Sequence, residues 1–521
     1  MSLASDEFNE KTRNYLAWAK DNAIDISSKI TIHDYTLQDQ GRGVIALEDI
    51  SEGEVIATIP KSILLNVTQN SLITKYPHLQ YKLLHLDHWD ALIIILLYEL
   101  QCEIESKWKA YLQVLPRQNF NQLIFWSDDE LNSLQPSFIL DRVGKDSAMK
   151  MFERISKVIN ELGIKELENV CFEKYNVVAT LIMSYSFDVE TTEEEEAKIE
   201  EKLLGGRTGE EKEEEEMDKD DEEKEEEEMD KDVEEMEQVA IISDGYIKSM
   251  VPFADVLNAD TNYNNAIVSD SDDNLIITTI KPIRKGDQVY NTYSEHPNCE
   301  ILRRYGYVEL EGSKFDFGEI PLSTIKQFFV QKYSISEKDL NSLVVCISVI
   351  SSQERMDEHS EDGTFDIVIE SYDCFKSGEV IIELILFLQL LTTFLLLDET
   401  KVEPSIVRKV YQLIGSEKVT HEMVENLGEI ISSRLEEYPD FASEAFETNI
   451  SKLNRETMAK IALKSEYQSL ALCKEDIKGN IEKTLGAPIK IISDEKFIRA
   501  IKKKRQPPED TSAMKKQKKN S

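Results

Sequence analysis

The stretch GDQVYNTYSEHPNCEILRRYGYVEL (286–310) decides the fold of this chain. It predicts a glycine turn, a β-strand that leads to Tyr293, and a short helix before the Tyr-Gly-Tyr at 305–307. The stretch VPFADVLNAD (251–260) lies upstream, in the same run of strands and turns. The sequence from about residue 244 therefore predicts a β-rich unit that contains one short helix.

The N-terminal third begins with a helix and continues with glycine turns. Residues 8–25 predict a helix because their apolar side chains recur at helical spacing. GRGVIALEDISEGEVIATIPKSILL (41–65) predicts a glycine turn and then a hairpin that turns at Glu52-Gly53. From about 66 to 189 the pattern is helical, with a strongly apolar segment at 89–100 and a last helix predicted at 177–187.

The C-terminal part, from about 320 to 500, is predicted to be mainly helical. Its amphipathic segments lie around 323–333, 380–397, 404–415 and 420–435. The most apolar of them, Val380 to Leu397, is 18 residues long but contains Glu383 and Gln389. We therefore expect a helix that is buried on all sides, and no membrane span.

Charge is distributed unevenly along the 521 residues, whose formal net charge is -40. Residues 190–238 hold 27 acidic and 7 basic side chains, a net of -20, so this segment carries half of the excess. The nonapeptide KEEEEMDKD occurs there twice, at 212–220 and 224–232. Because so few apolar residues are present to offset the entropy of ordering, we predict a disordered acidic insert. A single helix with Glu–Lys pairs is the alternative, although Glu outnumbers Lys heavily.

Cysteine and histidine patterns indicate neither disulfides nor a metal. The six cysteines are scattered without a C-x-x-C pair, and the seven histidines lack ligand spacing. The N-terminus is acidic and has no apolar signal region. These features predict an intracellular chain with reduced thiols and no metal site.

The ordered pieces resemble the two halves of a split SET domain. Residues 41–65, 250–267 and 280–308 are similar to the branch typified by the plant Rubisco large-subunit lysine methyltransferase. Within this branch, MSYSFD (183–188) before an acidic segment, followed by MVPFADVLNAD, most resembles the fungal nuclear ribosomal-protein lysine methyltransferases. The resemblance covers roughly residues 10–500 apart from the acidic insert.

This resemblance implies an α+β fold and a domain order. A β-rich SET core is split by a helical insertion and followed by an all-helical C-terminal substrate-binding domain. The expected ranges are 1–65 (N-terminal helix and first part of the SET core), 66–189 (helical insertion), 190–238 (acidic insert), 239–319 (second part of the core, with the catalytic tyrosine), 320–500 (substrate-binding domain) and 501–521 (basic tail).

The resemblance also implies S-adenosylmethionine as cofactor and Tyr293 as catalytic residue. Methyl transfer to a lysine needs a neutral amine aimed at a sulfonium methyl group, with water excluded. A phenol can orient the amine lone pair without acting as a base. No phosphate-binding glycine motif is required by a sulfonium cofactor, and none is present in context.

Further site residues follow from the matched motifs. The predicted cofactor-binding residues are Gly41, Arg42, Gly43, Tyr185, Asn258, Ala259, Tyr293 and Tyr305. The predicted substrate-binding residues are Asp188, Asp255 and Tyr305. Several of these assignments have structural alternatives: an ordinary β-turn at Gly41 and Gly43, a core-facing side chain at Tyr185, a turn-capping carboxylate at Asp255, and a tyrosine that ends a buried strand at Tyr293.

Ala259 departs from the family pattern, which has histidine after the asparagine. The cofactor contact is therefore expected from the Asn258 side chain and the Ala259 backbone. This departure, together with the acidic run, motivates an alternative hypothesis in which the chain is a non-catalytic binder of basic proteins. The aromatic residues Tyr293 and Tyr305 argue for the enzyme.

The basic tail bears on localisation and partners. KKKR (502–505) and KKQKK (515–519) have the form of a bipartite nuclear import signal, and 501–521 has a net charge of +6 from 8 bases and 2 acids. We expect a nuclear monomer, with the cytoplasm as a second location, and neither a membrane nor a nucleic acid as partner; nonspecific binding of rRNA by the tail is the alternative. The expected substrate is a basic protein, first a large-subunit ribosomal protein and second a transcription regulator or histone.

Overall fold

The computed structural model describes residues 3–192, 196, 197, 199, 245–356, 366–397, 403–441 and 453–503. Its strands are β1 Asp25–Ile26, β2 Ile30–Tyr35, β3 Gly41–Ala46, β4 Val55–Pro60, β5 Ser186–Glu190, β6 Tyr246–Met250, β7 Asn258–Ala259, β8 Ala266–Ser271, β9 Asn274–Thr279, β10 Gln288–Asn291, β11 Phe317–Pro321, β12 Ser371–Phe375, β13 Lys418–Thr420 and β14 Lys490–Ile492. Its α-helices are α1 Leu3–Asp21, α2 Ser71–Lys75, α3 Gln80–Leu84, α4 His88–Gln101, α5 Lys109–Leu112, α6 Asp128–Asn132, α7 Lys145–Leu162, α8 Phe172–Tyr185, α9 Asn298–Tyr305, α10 Leu322–Tyr333, α11 Glu337–Met356, α12 Ile382–Leu397, α13 Pro404–Ile414, α14 His421–Glu436, α15 Arg455–Glu475, α16 Ile477–Leu485 and α17 Asp494–Lys503.

Two four-stranded sheets join sequence segments that are more than 200 residues apart. Their strand orders are β1-β4-β9-β8 and β2-β3-β10-β7. In the second sheet, β10 pairs antiparallel with β3 through Val289 and Val44, and parallel with β7 through Tyr290 and Asn258. The β-core predicted in two halves is therefore one unit, and β10 lies at its centre.

The helical insertion forms largely as its apolar pattern predicts. The segment predicted at 89–100 is α4, whose first turn is capped by the Asp87 carboxylate through the backbone amides of Trp89 and Asp90. The helix predicted at 177–187 is α8, which ends two residues earlier, at Tyr185. Its last predicted residues belong instead to β5, because they pair with β6 in an antiparallel hairpin.

The acidic insert connects the two strands of this hairpin. The backbone amide of Thr191 donates to the Gly245 carbonyl over 2.9 Å, so the two residues that flank the segment lie next to each other. Most of the predicted disordered insert, and the tail from 504 to 521 with most of the import signal, lie outside the described residues.

The C-terminal part has its own hydrophobic core around α12, which is almost entirely buried. The predicted helices at 323–333, 404–415 and 420–435 match α10, α13 and α14 within a residue or two. This part is mainly helical but not all helical as expected, since β11 pairs with β12 and β13 pairs with β14. These strands have five or fewer residues and distant partners, so no local pattern reveals them. Each described helix is too short or too polar to cross a membrane.

Side chains of the insertion bind the C-terminal part directly. The Arg142 guanidinium forms an ion pair with Glu319 on β11, and the Ser137 hydroxyl donates to the Glu466 carboxylate on α15 over 2.5 Å. A small apolar cluster that includes Trp126, Leu302 and Met458 fills the same junction. The site beside the insertion is therefore supported by both halves of the chain.

Candidate active site

Four short segments meet beside the central strand β10. α8 ends at Tyr185, a single turn of 3-10 helix holds Asp255, β7 begins at Asn258, and Tyr293 follows β10. Phe253, which precedes the turn, has a φ of +79°, a conformation that a side chain this large rarely adopts. This strained residue directs the chain into the 3-10 turn that carries Asp255 to the site.

Two large cavities meet at this point. One, of about 720 Å³, extends from α1 and β3, and the other, of about 570 Å³, lies between the β5–β6 hairpin and the edge strand β8. Tyr185, Asp255 and Tyr293 line both cavities. Such an arrangement lets two different molecules approach the same side chains from separate entrances.

A third, smaller cavity, of about 270 Å³, adjoins the first. The two share Gly41, Asn258, Tyr185 and Tyr293. Of the described residues that line the smaller one, only Asp39 is charged, and Phe120 adds an aromatic ring. The larger one is lined by several charged side chains, namely Glu7, Lys11, Arg42, Glu103, Asp255 and Arg117. Together they offer a charged compartment joined to an aromatic one.

Tyr293 lies where all three cavities meet. Its hydroxyl donates to the Leu257 carbonyl over 2.9 Å, and its ring centroid is 4.8 Å from that of Tyr305. Burial raises the pKa of Tyr293 well above its usual value, and the neighbouring Tyr185 and Asp255 add to this effect. The phenol therefore keeps its proton near neutral pH and acts through hydrogen bonds, without serving as a base.

Asp255 is a buried carboxylic acid between the two large cavities. Burial raises its pKa to about 7, although the Tyr111 hydroxyl, which donates over 2.6 Å, favours the charged form. Its side chain contacts Tyr111 from the insertion, so it does more than the turn-capping alternative requires. Near neutral pH a group with this pKa exists in both protonation states.

Gly43 and Asn258 form a close contact that leaves polar atoms unpaired. A Cβ atom at Gly43 would lie 2.5 Å from Asn258 Nδ2 and 2.7 Å from Gln288 Nε2. Neither amide nitrogen has a hydrogen-bond partner among the described residues, and both are buried. Buried donors of this kind are costly when they stay unpaired, and of these three residues Asn258 lines the first and third cavities. Gly41, by contrast, has a φ of +61° and open space around its Cβ position.

Arg42 lines the largest cavity, but its guanidinium is bound to protein groups. It donates to the Thr12 hydroxyl over 3.0 Å and to the Phe8 and Val114 carbonyls, and it stacks 3.9 Å from the Phe8 ring centroid. The side chain thus attaches α1 to the β-core. A cofactor contact from Arg42 remains a prediction.

The other predicted residues fall into two groups. Tyr185, Ala259 and Tyr305 lie with Asn258 around the smaller cavity. Asp188 lines the 570 Å³ cavity on β5, where its exposed carboxylate pairs with Lys248 over 2.5 Å. The structure therefore brings the predicted cofactor residues together and places Asp188 on the other side of Tyr293.

Sequence reasoning missed three polar side chains of the insertion. Tyr111 holds Asp255, Gln122 lines the smaller cavity, and Trp89 lines the 570 Å³ cavity with an indole nitrogen that lacks a described partner. They lie in helical or loop sequence without a motif, so only the fold reveals their position. Among the described residues, no cluster of three or more His, Cys, Asp or Glu is arranged to hold a metal ion.

Comparisons with known proteins identify this arrangement. A sequence model of the SET domain matches residues 41–294. Ribosomal lysine N-methyltransferase 4 of Saccharomyces cerevisiae is 36% identical over 535 residues, which covers 98% of this chain and 99% of that protein. The chain belongs to the SET-domain family of protein-lysine methyltransferases. Its cofactor is S-adenosylmethionine.

Two further relatives extend the comparison. The Schizosaccharomyces pombe protein of the same name is 25% identical over 360 residues, covering 65% of this chain and 75% of that one. A structure of Rubisco LSMT bound to AdoMet superposes with a TM-score of 0.58 at 15% identity, over 96% of this chain and 98% of that chain. This likeness confirms the α+β SET fold, and the family favours the enzyme over the non-catalytic binder.

The geometry around Tyr293 explains how the chain supports methyl transfer. When bound, the cofactor supplies an electrophilic methyl group. Asn258 lines two of the cavities and would contact the cofactor's polar groups there. The rings of Tyr293 and Tyr305 offer aromatic surface that favours a sulfonium cation and keeps water from the amine. The protonated Tyr293 hydroxyl would position the lysine amine by hydrogen bonding, which is the role that the sequence predicts for it.

Proposed function

We propose that this methyltransferase modifies a lysine of a large-subunit ribosomal protein. The observation that carries the proposal is the full-length similarity to the S. cerevisiae protein named ribosomal lysine N-methyltransferase 4. This similarity includes the C-terminal helical part, which lies outside the SET match at 41–294. Substrate choice depends on surfaces beyond the catalytic core, so likeness in that part supports a common substrate class.

Charge supports the same proposal. Ribosomal proteins are rich in Lys and Arg, and the chain carries a formal net charge of -40. Opposite net charges raise the rate of encounter and disfavour acidic partners. The carboxylate of Asp255 and the edge strand β8 line the cavity that would receive the lysine segment. We also propose a monomer located mainly in the nucleus and also in the cytoplasm; the basic clusters at 502–505 and 515–519 support the nuclear location.

The test uses ribosomal proteins from cells that lack this gene, so that the target lysine is unmodified. Purified enzyme and labelled S-adenosylmethionine are added, and labelled lysines are located by mass spectrometry. We expect label on one or a few large-subunit proteins, and labelling about 100-fold slower with the Tyr293→Phe variant. Label on histones or a transcription regulator, with none on ribosomal proteins, would favour the second substrate class and contradict the proposal.

A further inference from the structure

Glu309 is a buried glutamate that lies outside the cavities. It comes two residues after Tyr307, and its side chain is only 2% exposed. It lines none of the three cavities that meet at Tyr293, so a ligand in them does not touch it. A buried carboxylate is costly unless donors of the protein surround it. The donors around Glu309 therefore indicate what it does.

Three donors from a single turn bind the Glu309 carboxylate. The backbone amide of Thr261 donates to Oε1 over 2.7 Å, and the Thr261 hydroxyl donates to Oε2 over 2.5 Å. The side-chain amide of Asn262 donates to Oε2 over 3.2 Å. This turn directly follows Asn258 and Ala259, which form β7 and line the 270 Å³ cavity. The carboxylate thus holds, from outside the cavity, the turn that follows the predicted cofactor residues.

The backbone of Glu309 is fixed as well. Its amide donates to Asn298 Oδ1 and its carbonyl accepts from Asn298 Nδ2, each over 2.8 Å. Asn298 begins α9, the helix that ends at Tyr305. The Asn298 backbone amide donates to Asp316 over 2.8 Å, and its Nδ2 donates to the Ser465 hydroxyl on α15 over 3.2 Å. Glu309 therefore has a fixed position relative to both α9 and the C-terminal part.

The turn after β7 is held from two sides. On one side β7 pairs with β10, and the Asp260 backbone amide donates to the Asn291 carbonyl over 3.2 Å. On the other side is the Glu309 carboxylate. Ala259 has only a methyl side chain, so it adds no hydrogen bond of its own. We propose that Glu309 is a positioning residue, which sets the affinity for S-adenosylmethionine by fastening the turn after Asn258 to the segment after Tyr307.

The strength of this attachment depends on the charge of Glu309. Burial raises its pKa to about 7, the hydrogen bonds from Thr261 oppose this rise, and the negative charges of Asp260 and Asp316 add to it. The charged form accepts from all three donors, whereas the acid has a hydrogen in place of one acceptor site. The turn is therefore held more firmly as pH rises through 7. The other ionisable groups around this network are Tyr307, Glu311, Lys314 and Lys376.

The experiment removes the ionisation and keeps the shape of the side chain. Glu309→Gln resembles the protonated acid and cannot ionise. Calorimetry gives the Kd of S-adenosylhomocysteine at pH 6 and at pH 8. We expect the wild type to bind more tightly at pH 8, and the ratio of the two Kd values to be about fivefold smaller in the variant. Asp255 titrates in the same range but is present in both proteins, so the difference between the ratios reports Glu309 alone.

Glu466→Gln is the matched control, because Glu466 is also buried with a pKa of about 7 but lies on α15, outside the three cavities. This control should keep the wild-type ratio. If Glu309→Gln does not fold, Thr261→Val removes the hydroxyl donor from the other side of the contact and should also reduce the ratio. An undiminished ratio in a folded variant of either residue, or a wild-type Kd that is the same at both pH values, would overturn the inference, whichever protein carries the target lysine.

Discussion

The Tyr111 hydroxyl donates a hydrogen bond to the Asp255 carboxylate over 2.6 Å, which joins the helical insertion to the point where the two large cavities meet. Tyr111 is fully buried and packs near the rings of Tyr15 and Trp18 on α1. The charge on Asp255 therefore depends on a residue that touches neither cavity. If this carboxylate meets the incoming lysine, catalysis should follow its ionisation.

The first prediction is a shift in the pH profile of Tyr111→Phe. Burial raises the pKa of Asp255 to about 7, and the Tyr111 hydroxyl opposes that rise. Removing the hydroxyl should raise this pKa further, because the charged form loses its donor. We expect the rising limb of kcat/KM to move to higher pH, with roughly tenfold lower activity at pH 7. An unmoved limb with normal stability would show that Asp255 ionisation does not limit the reaction.

The second prediction concerns Gly43→Ala. The added methyl group would lie 2.5 Å from Asn258 Nδ2, so Asn258 or β3 must move. We expect weaker binding of S-adenosylhomocysteine, by about tenfold or more, and a loss of about 1–3 kcal/mol in the free energy of unfolding. The control is Gly428→Ala on α14, where the added methyl group would lie 3.7 Å from Ile477 Cγ1, an ordinary van der Waals distance. That change should leave the binding of S-adenosylhomocysteine intact. A similar loss of this binding in both variants would contradict a specific role for Gly43.

The third prediction is that the acidic segment is dispensable for folding and methyl transfer. Thr191 and Gly245 are hydrogen-bonded, so a short Gly-Ser turn can replace residues 201–243 and retain the buried Ile199. Thermal unfolding should change by only a few degrees, and turnover on a lysine peptide should persist. A collapse of either quantity would mean that the segment contributes to the core.

The fourth prediction concerns the pH dependence of stability. Burial raises the pKa of Glu466 to about 7, while Ser137, Tyr438 and Arg434 favour its charged form, and Glu319 raises the pKa further. The folded chain thus holds a proton on Glu466 up to about pH 7, whereas the unfolded chain releases it near its ordinary pKa. Stability from this group is complete at low pH and falls as pH rises towards 7.

The glutamine side chain in Glu466→Gln cannot ionise, so the stability of this variant should not fall in this way as pH rises. Between pH 5 and pH 8, the free energy of unfolding of the wild type should fall by about 2–3 kcal/mol more than that of the variant. Denaturant unfolding at both pH values measures the difference. Parallel pH profiles would show that Glu466 has an ordinary pKa in the folded chain.

Much of the fold follows from local sequence patterns. The helix at 89–100 and those at 323–333, 404–415 and 420–435 are predictable because each has a long apolar repeat and a clear end. The hairpin β5–β6 was missed in part, since Ser186 and Phe187 continue a helical pattern and only their pairing with β6 makes them strand. The strand β11 pairs with β12 some fifty residues away, which no local pattern records.

The candidate site also contains residues that the sequence locates and residues that only the folded structure reveals. Tyr293, Asn258 and Tyr305 lie in motifs, so the family resemblance locates them. Tyr111 and Gln122 are placed by the packing of the insertion on the core, and their neighbours in sequence give no sign of it. Arg42 is the opposite case, in which the sequence predicts a role that the structure does not show. Its motif position predicts a cofactor contact, whereas its guanidinium donates hydrogen bonds to Thr12 on α1 and to the Val114 carbonyl.

Tyr293→Phe tests the central claim most directly. The change removes a hydroxyl that donates to the Leu257 carbonyl and keeps the ring that packs against Tyr305. Turnover and the Kd of S-adenosylhomocysteine are measured on the same preparation, with Tyr263→Phe, an exposed tyrosine, as control. We predict that kcat falls about 100-fold while the Kd changes less than about threefold. Unchanged turnover, or an equal loss of turnover and cofactor binding, would contradict a catalytic role for Tyr293.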